Sequence, residues 1–81
     1  MDKKLYSKQQ IALQRLLREL RHEANLRQED VAAQIGEPQS FVSKYEIGER
    51  RLDVLELREI CQALGISLAH FVERLEQQLA K

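Results

Sequence analysis

Residues 27–51, RQEDVAAQIGEPQSFVSKYEIGERR, decide the fold of this 81-residue chain. The stretch predicts two short helices, at about 28–35 and 39–46, joined by a tight turn. Gly36 is typical of the left-handed residue that ends a helix. Pro38 is tolerated in the first turn of a helix, where its missing N–H is not needed. The stretch therefore predicts a helix, a turn and a second helix.

The second of these helices has an apolar side and a polar side. Val42 and Tyr45 are spaced to rest it on a core, whereas its outer side carries short hydrogen-bonding groups. Amides, hydroxyls and an ammonium group on one helix face suit the recognition of base edges in the DNA major groove. The alternative is a face that is merely solvated. We call this set of residues the recognition face: Gln39, Ser40, Ser43 and Lys44.

The flanking segments predict three more helices. One begins near Ser7, whose hydroxyl can cap it, and another follows Asp53, where Glu56 completes a capping box. The last, at about 67–79, begins at Ser67, which can cap it. Apolar residues recur at helical spacing along these segments. The residues expected to face inward are Ile11, Leu13, Leu16, Leu17, Leu20, Ala24, Val31, Ala32, Ile35, Val54, Leu57, Ile60, Cys61, Leu64, Leu68, Phe71 and Val72.

The pattern as a whole predicts a compact all-α bundle of five helices, a single domain over residues 1–81 with its core at about 11–72. The net charge is zero, which argues mildly against a non-specific nucleic-acid coat. The charge is uneven, however, because residues 1–27 carry a net +4 whereas 28–51 and 52–81 each carry −2. A charge distribution of this kind still allows a phosphate-facing surface.

Several classes of site are excluded by the residues present. Cys61 has no partner for a disulfide and has the spacing of a buried core residue. His22 and His70 lie far apart in the sequence, with no partner at metal-ligand spacing. The chain has no phosphate-binding glycine loop and no arrangement of Ser, His and Asp or of Cys and His that suggests catalysis. We therefore expect no metal, no cofactor, no small-molecule ligand and no enzymatic activity.

The sequence also lacks the marks of membrane insertion and export. No apolar run approaches the roughly 18 residues that a membrane-spanning helix needs. The N-terminal segment has lysines but no apolar stretch behind them, so it does not have the pattern of a signal peptide. We therefore expect a cytoplasmic protein that does not contact membranes.

Over about residues 11–72 the chain resembles the phage-repressor and Cro type of helix-turn-helix protein, the xenobiotic response element (XRE) family. No single matching element is specific, but their joint spacing is. The resemblance implies a lambda-repressor-like fold and sequence-specific binding of double-stranded DNA, with the second helix of the motif in the major groove. The matching elements are LRELR at 17–21, LRQEDVA at 26–32, IG at 35–36, QS at 39–40, VSKYE at 42–46, Gly48 and LGIS at 64–67.

The resemblance implies that the recognition face contacts bases. The chemistry of the side chains agrees, because Gln39 can pair with N6 and N7 of adenine and Lys44 can donate to O6 and N7 of guanine. Ser40 and Ser43 match further base-contacting positions. We expect Phe41 to lie on the DNA side or to be only half-buried, where its ring could meet a thymine methyl group.

The resemblance also implies contacts with phosphates and one buried ion pair. Gln28 matches a glutamine that contacts phosphate and braces the first glutamine of the recognition helix. Arg21 and Glu46 match an ion pair that ties the first helix to the end of the recognition helix. For Arg50 and Arg51, solvated loop charges remain an alternative. The candidate phosphate contacts are Gln28, Arg18, Arg27, Arg50 and Arg51.

Three residues depart from the family pattern. Pro38 stands where the family often has Ser or Thr, which puts the capping of the recognition helix in doubt. Leu52 stands where proline is frequent, which leaves the preceding loop less rigid. Ile47 is less polar than the usual residue, which puts one phosphate contact in doubt.

The last helix decides the oligomeric state. Phe71, Val72 and Leu75 could close the core of one subunit, whereas Leu75 and Leu79 could pair with a second copy. We expect a homodimer, with Phe71, Leu75 and Leu79 as candidate interface residues. A two-fold dimer would place its two recognition helices about 34–36 Å apart on an inverted repeat.

The predicted function is therefore that of a transcriptional regulator, repressor-like in action, that occupies an operator as a homodimer. The alternative is a protein-interaction module, or an antitoxin-like protein, that keeps the same fold and binds a protein partner. Binding of RNA or single strands is weakly supported, because the chain lacks stacking aromatics and basic stripes.

Overall fold

The computed structural model describes residues 7–81, and within them it confirms the prediction of an all-α bundle of five helices. Lys3 and Lys4, which contribute to the N-terminal positive charge, lie outside the described residues. No described helix combines the length and the apolar character needed to cross a membrane. The helices are α1 (Lys8–Glu23), α2 (Gln28–Ile35), α3 (Gln39–Glu46), α4 (Val54–Leu64) and α5 (Leu68–Leu79).

The helices begin where the sequence supplies caps. The hydroxyls of Ser7 and Ser67 each accept the backbone N–H three residues later, at 3.0 Å. At α4 the capping box closes in both directions: Asp53 accepts the Glu56 N–H at 2.8 Å, and Glu56 accepts the Asp53 N–H at 2.9 Å. Pro38 occupies the cap position of α3 without a side-chain hydrogen bond. The Pro38 carbonyl accepts the Phe41 N–H at 2.9 Å, the backbone bond that opens the helix.

The turn between α2 and α3 follows from Gly36. Its φ of +71° lies in the left-handed region, and its N–H donates to the carbonyl of Ala32 at the end of α2. Residues other than glycine rarely adopt this conformation. The chain can therefore leave α2 sharply at Gly36 and enter α3 after two further residues, which holds the two helices together as one motif.

All five helices surround one apolar core. In it α1 packs on α3 and α5, α2 on α3 and α4, and α4 on α5. Burial removes the Cys61 thiol from solvent and raises its pKa to about 11, which fits a small core residue that is not reactive at neutral pH. The largest fully buried side chains are Leu16, Leu17, Val31, Val42, Ile60, Cys61 and Phe71.

Four residues expected to face inward are instead exposed. Val54 is 62% exposed at the first position of α4, and Val72 on α5 is 43% exposed. Ile11 is 41% exposed, and Ala24, which ends α1, is also exposed. Helical spacing gives the direction of a side chain but not how far the neighbouring helices extend. The prediction of burial was therefore wrong at helix ends and on the outer side of α5.

Candidate nucleic-acid interface

The polar side of α3 lies outward, as its pattern predicts. Gln39, Ser40 and Lys44 are exposed and Ser43 is half-buried, so the recognition face is available to a ligand. On the opposite side Val42 and Tyr45 are 0% and 2% exposed. Burial raises the pKa of the Tyr45 hydroxyl, which therefore stays protonated. Core packing on one side of α3 thus presents the polar residues on the other.

A buried ion pair joins α1 to the last residue of α3. Arg21 donates from Nε to Oε2 of Glu46 at 2.7 Å and from Nη2 to Oε1 of Glu46 at 3.0 Å. These are the two residues that the resemblance implies as an ion pair. Its Nη1 also donates to the carbonyl of Leu26 at 3.0 Å, between α1 and α2. The hydrogen bond with Glu46 raises the pKa of Arg21. One guanidinium group therefore fixes three segments around the start of the motif.

Two glutamines continue this pair outward to the recognition face. Gln28, at the first position of α2, donates from Nε2 to Oε1 of Glu46 at 3.0 Å. Gln39, at the first position of α3, donates from Nε2 to Oε1 of Gln28 at 2.7 Å. The brace between the two glutamines implied by the resemblance is thus present. We call the series Arg21, Glu46, Gln28 and Gln39 the polar relay, since each member bonds the next.

Arg50 is engaged within the chain. Its Nη1 and Nη2 donate to the two carboxylate oxygens of Glu56, at 3.1 and 2.8 Å, and Nη1 also donates to the Arg51 carbonyl. This pairing raises the pKa of Arg50 and lowers that of Glu56. The guanidinium carbon lies 4.5 Å from the centre of the Phe41 ring. Arg50 therefore connects α3, the following loop and the start of α4.

Phe41 is more deeply buried than the sequence predicts. Its side chain is only 9% exposed, so the expectation that it would be half-buried is wrong. Its ring meets Tyr45 edge to face, with 5.8 Å between ring centroids, and Arg50 covers the other approach. The pairing of Arg50 with Glu56 carries no sequence signal, because the two residues lie six apart across a loop and the capping pattern explains Glu56 alone. The burial of Phe41 could therefore not be predicted from periodicity.

Other cationic side chains lie beside the motif. Arg18 has a side chain 52% exposed, with Nε 3.9 Å from Oε1 of Glu46 at the end of α3. The Arg27 side chain is 73% exposed and bonds Asp30 at 3.3 Å, which raises the pKa of Arg27 and lowers that of Asp30. Arg51 is exposed in the loop after α3. Positive groups thus flank the motif near α1, α2 and the loop.

The recognition face carries groups suited to hydrogen bonding with a ligand. Among residues 7–81 no group of three His, Cys, Asp or Glu side chains is placed to hold a metal ion. Both His22 and His70 are exposed and stand on different helices. The groups that converge on the recognition face are amides, hydroxyls and an ammonium group, which donate and accept hydrogen bonds.

Comparison with known proteins identifies the fold and the motif together. The model of the helix-turn-helix family matches residues 17–71, which include the motif and its supporting helices. An XRE-family-like protein from Pseudomonas syringae pv. tomato superposes with a TM-score of 0.84 at 41% identity, covering 94% of this chain and 93% of that one. The chain belongs to the XRE type of helix-turn-helix proteins. The lambda-repressor-like fold is confirmed with it.

Two further proteins similar to this chain have names that refer to regulation. The protein y4dJ of Sinorhizobium fredii, described as an uncharacterized HTH-type transcriptional regulator, is 43% identical over 53 residues, which are 65% of this chain and 69% of the relative. The restriction–modification controller protein C.Esp1396I, solved as a tetramer with its 35-base-pair operator, has a TM-score of 0.84 at 25% identity, covering 93% of this chain and 99% of that one. The family consists of non-enzymatic DNA-binding transcriptional regulators.

Proposed function

We propose that this XRE-type protein binds double-stranded DNA in a sequence-specific way, as a homodimer that places one α3 helix in each half of an inverted-repeat operator. The observation that carries the proposal is the recognition face, exposed on α3 and braced from within by the polar relay. A helix in the major groove reads bases well only if its side chains are held in place.

Base recognition falls to the recognition face. Gln39 is placed to pair with adenine and Lys44 to donate to guanine, each contact discriminating by about 1–3 kcal/mol. Ser40 and Ser43 can bond either a base or the backbone. We assign no base contact to Phe41, because its ring is covered by Tyr45 and Arg50.

Phosphate contacts fall to the residues that flank the motif. Gln28 and Arg27 lie at the N-terminus of α2, where backbone N–H groups and the helix dipole also favour an anion. Arg18, on α1, lies beside the last residue of α3, and Arg51 stands in the loop that follows α3. Arg50 is a less suitable candidate, because Glu56 already binds both of its terminal nitrogens.

Dimerisation is assigned to the outer side of α5. Phe71, one of the expected interface residues, is 0% exposed and belongs to the core of its own subunit. Leu75 and Leu79 are half-buried, and Val72 is 43% exposed on the same helix. These three apolar residues can be covered by a second copy without disturbing the core. Assembly of the C.Esp1396I relative as a tetramer on its operator supports self-association.

A repressor-like action is the regulatory consequence that we propose. A dimer occupying an operator that overlaps a promoter excludes polymerase from it by simple competition. The experiment that separates the signs of regulation is transcription in vitro from a template carrying the selected operator, with protein added in increasing amounts. Loss of transcript supports repression, and a gain of transcript contradicts it.

The test of DNA binding is selection of duplexes from a random library by the purified protein at near-physiological salt. We expect an inverted repeat with half-site centres about 10 base pairs apart. A variant with Gln39→Ala and Lys44→Ala should recover no such consensus. A matched variant with Gln34→Ala, an exposed glutamine on α2 that lies beside α4, should recover the same repeat. Failure of the wild-type protein to enrich any sequence would contradict the proposal.

A second candidate function is binding to a protein partner, and the apolar start of α4 favours it. Val54 and Leu55 are 62% and 70% exposed, the largest values among the exposed large apolar residues of the described chain. A heterologous complex that survives size-exclusion chromatography and is lost on Leu55→Lys, with DNA selection unchanged, would support this function. Binding lost equally on Val72→Lys would contradict assignment to α4.

A further inference from the structure

We propose that Glu46, which is buried and does not belong to the recognition face, is a positioning residue that fixes which hydrogen-bonding groups Gln39 offers to DNA. The inference rests on the proposed function and deepens it. It concerns discrimination between bases rather than affinity, and it is carried by the direction of the hydrogen bonds in the polar relay.

The direction of the relay is set at its buried end. Glu46 is 2% exposed, and its carboxylate, paired with Arg21, offers only acceptors. Its Oε1 accepts from Arg21 and from Nε2 of Gln28, each at 3.0 Å. If the amide of Gln28 were turned over, two oxygens would meet without a proton between them. Glu46 therefore obliges Gln28 to direct its amino group inward.

The same logic passes the direction on to Gln39. With its amino group turned inward, Gln28 presents Oε1 outward and can only accept from its neighbour. Gln39 meets this oxygen with Nε2, at 2.7 Å. One of its two amino protons is thereby used. The side chain of Gln39 is left with one N–H to donate and with its Oε1 to accept.

This remaining pair of groups matches adenine and not guanine. Adenine offers a donor at N6 and an acceptor at N7, whereas guanine offers acceptors at both O6 and N7. Opposite guanine, the free oxygen of Gln39 would face an acceptor, and Gln39 has no second free proton with which to bond it. A Gln39 without the brace can turn its amide over and direct both protons at guanine. Glu46 thus excludes guanine through Gln28 without touching DNA.

The test replaces the middle of the relay and measures base preference. Gln28→Met keeps the length of the side chain, removes its hydrogen-bonding groups and leaves the pair of Arg21 with Glu46 intact. The binding constant is measured at one salt concentration for the selected operator with each of the four base pairs at the position read by Gln39. That position is the one whose preference disappears with Gln39→Ala.

The wild-type protein should prefer adenine over guanine at that position by roughly tenfold or more. With Gln28→Met we expect the preference to fall below about threefold, whereas Gln34→Met, on the same helix, should leave it unchanged. Glu46→Gln, whose amide can face Gln28 with either group, should lower the preference in the same way. If this variant fails to fold, as circular dichroism would show, Gln28→Met decides alone.

The outcomes separate this inference from the proposed function. If Gln28→Met weakens binding to all four duplexes equally and keeps the adenine preference, Gln28 acts only as a phosphate contact and the inference is wrong. If the wild-type protein shows no base preference at any position of any duplex, the proposed function itself fails.

Discussion

Glu46 joins the buried ion pair of the bundle to the candidate interface. It is 2% exposed, and three hydrogen bonds reach its carboxylate from Arg21 and Gln28. An ionised group at such a site is tolerated only while it is paired, because burial removes its water. One carboxylate thus both ties α3 to α1 and begins the polar relay.

The first prediction concerns the loss of its partner. Arg21→Met leaves the Glu46 charge buried without its main partner, and we expect it to lower the free energy of unfolding by about 3–5 kcal/mol. Urea denaturation followed by circular dichroism measures the change. The double variant with Arg21→Met and Glu46→Met removes both charges and should be less destabilised than the single one. A single variant no less stable than the double one would contradict this account.

At the scale of elements, the boundaries of the helices could be predicted because each depends on neighbours in sequence. The pattern of Asp53 and Glu56 marks the start of α4, and Gly36 marks the end of α2. Contacts across loops could not be predicted in this way. Arg50 bonds Glu56 and lies over Phe41, and no periodicity or short motif joins these three residues.

The same limit applies to burial and to the site. Helical spacing correctly predicted that Val42 lies on the side of α3 that faces the core and that the recognition face lies on the opposite side. It failed for Val54, which has the right direction but no neighbour to cover it. The resemblance implies the partners within the polar relay, whereas the direction of its hydrogen bonds is set by the folded arrangement of Glu46, Gln28 and Gln39.

The second prediction separates the loop brace from contacts with DNA. Because Arg50 is bound by Glu56, Arg50→Met should leave the dependence of log K on log salt unchanged, with only a small loss of stability. Arg18→Met removes a guanidinium from a side chain that is 52% exposed, and it should reduce the slope by about one for each protomer. Fluorescence anisotropy with the selected operator, from low to physiological salt, measures both. A slope reduced equally by Arg50→Met would make Arg50 a phosphate contact.

The size of the folded chain argues for self-association. The described residues extend 31 × 29 × 21 Å and present one recognition face, on the eight-residue helix α3. Successive major grooves on one side of DNA lie about 34–36 Å apart, beyond the span of one copy. A single copy can therefore make only a few base contacts, and a second copy is needed to read a second half-site.

The last prediction tests where the second copy binds. Val72→Lys places a positive charge on the outer side of α5. Glu76 lies four residues later on the same face of the helix, so the new lysine has an opposite charge beside it. We expect it to shift the protein from dimer to monomer in sedimentation experiments without unfolding it, because Val72 is already 43% exposed. The monomer should then bind one half-site more weakly and lose its preference for the complete inverted repeat.

Leu55→Lys provides the matched control, because it adds the same charge four residues before Glu59 on α4, at a site 70% exposed. If α5 forms the interface, this variant stays dimeric and keeps the preference for the repeat. If Leu55→Lys dissociates the protein and Val72→Lys does not, the interface lies at the start of α4. The distance between the two α3 helices would then be set by an interface at α4. The spacing of the selected half-sites should in that case be compared with the distance that such a dimer gives.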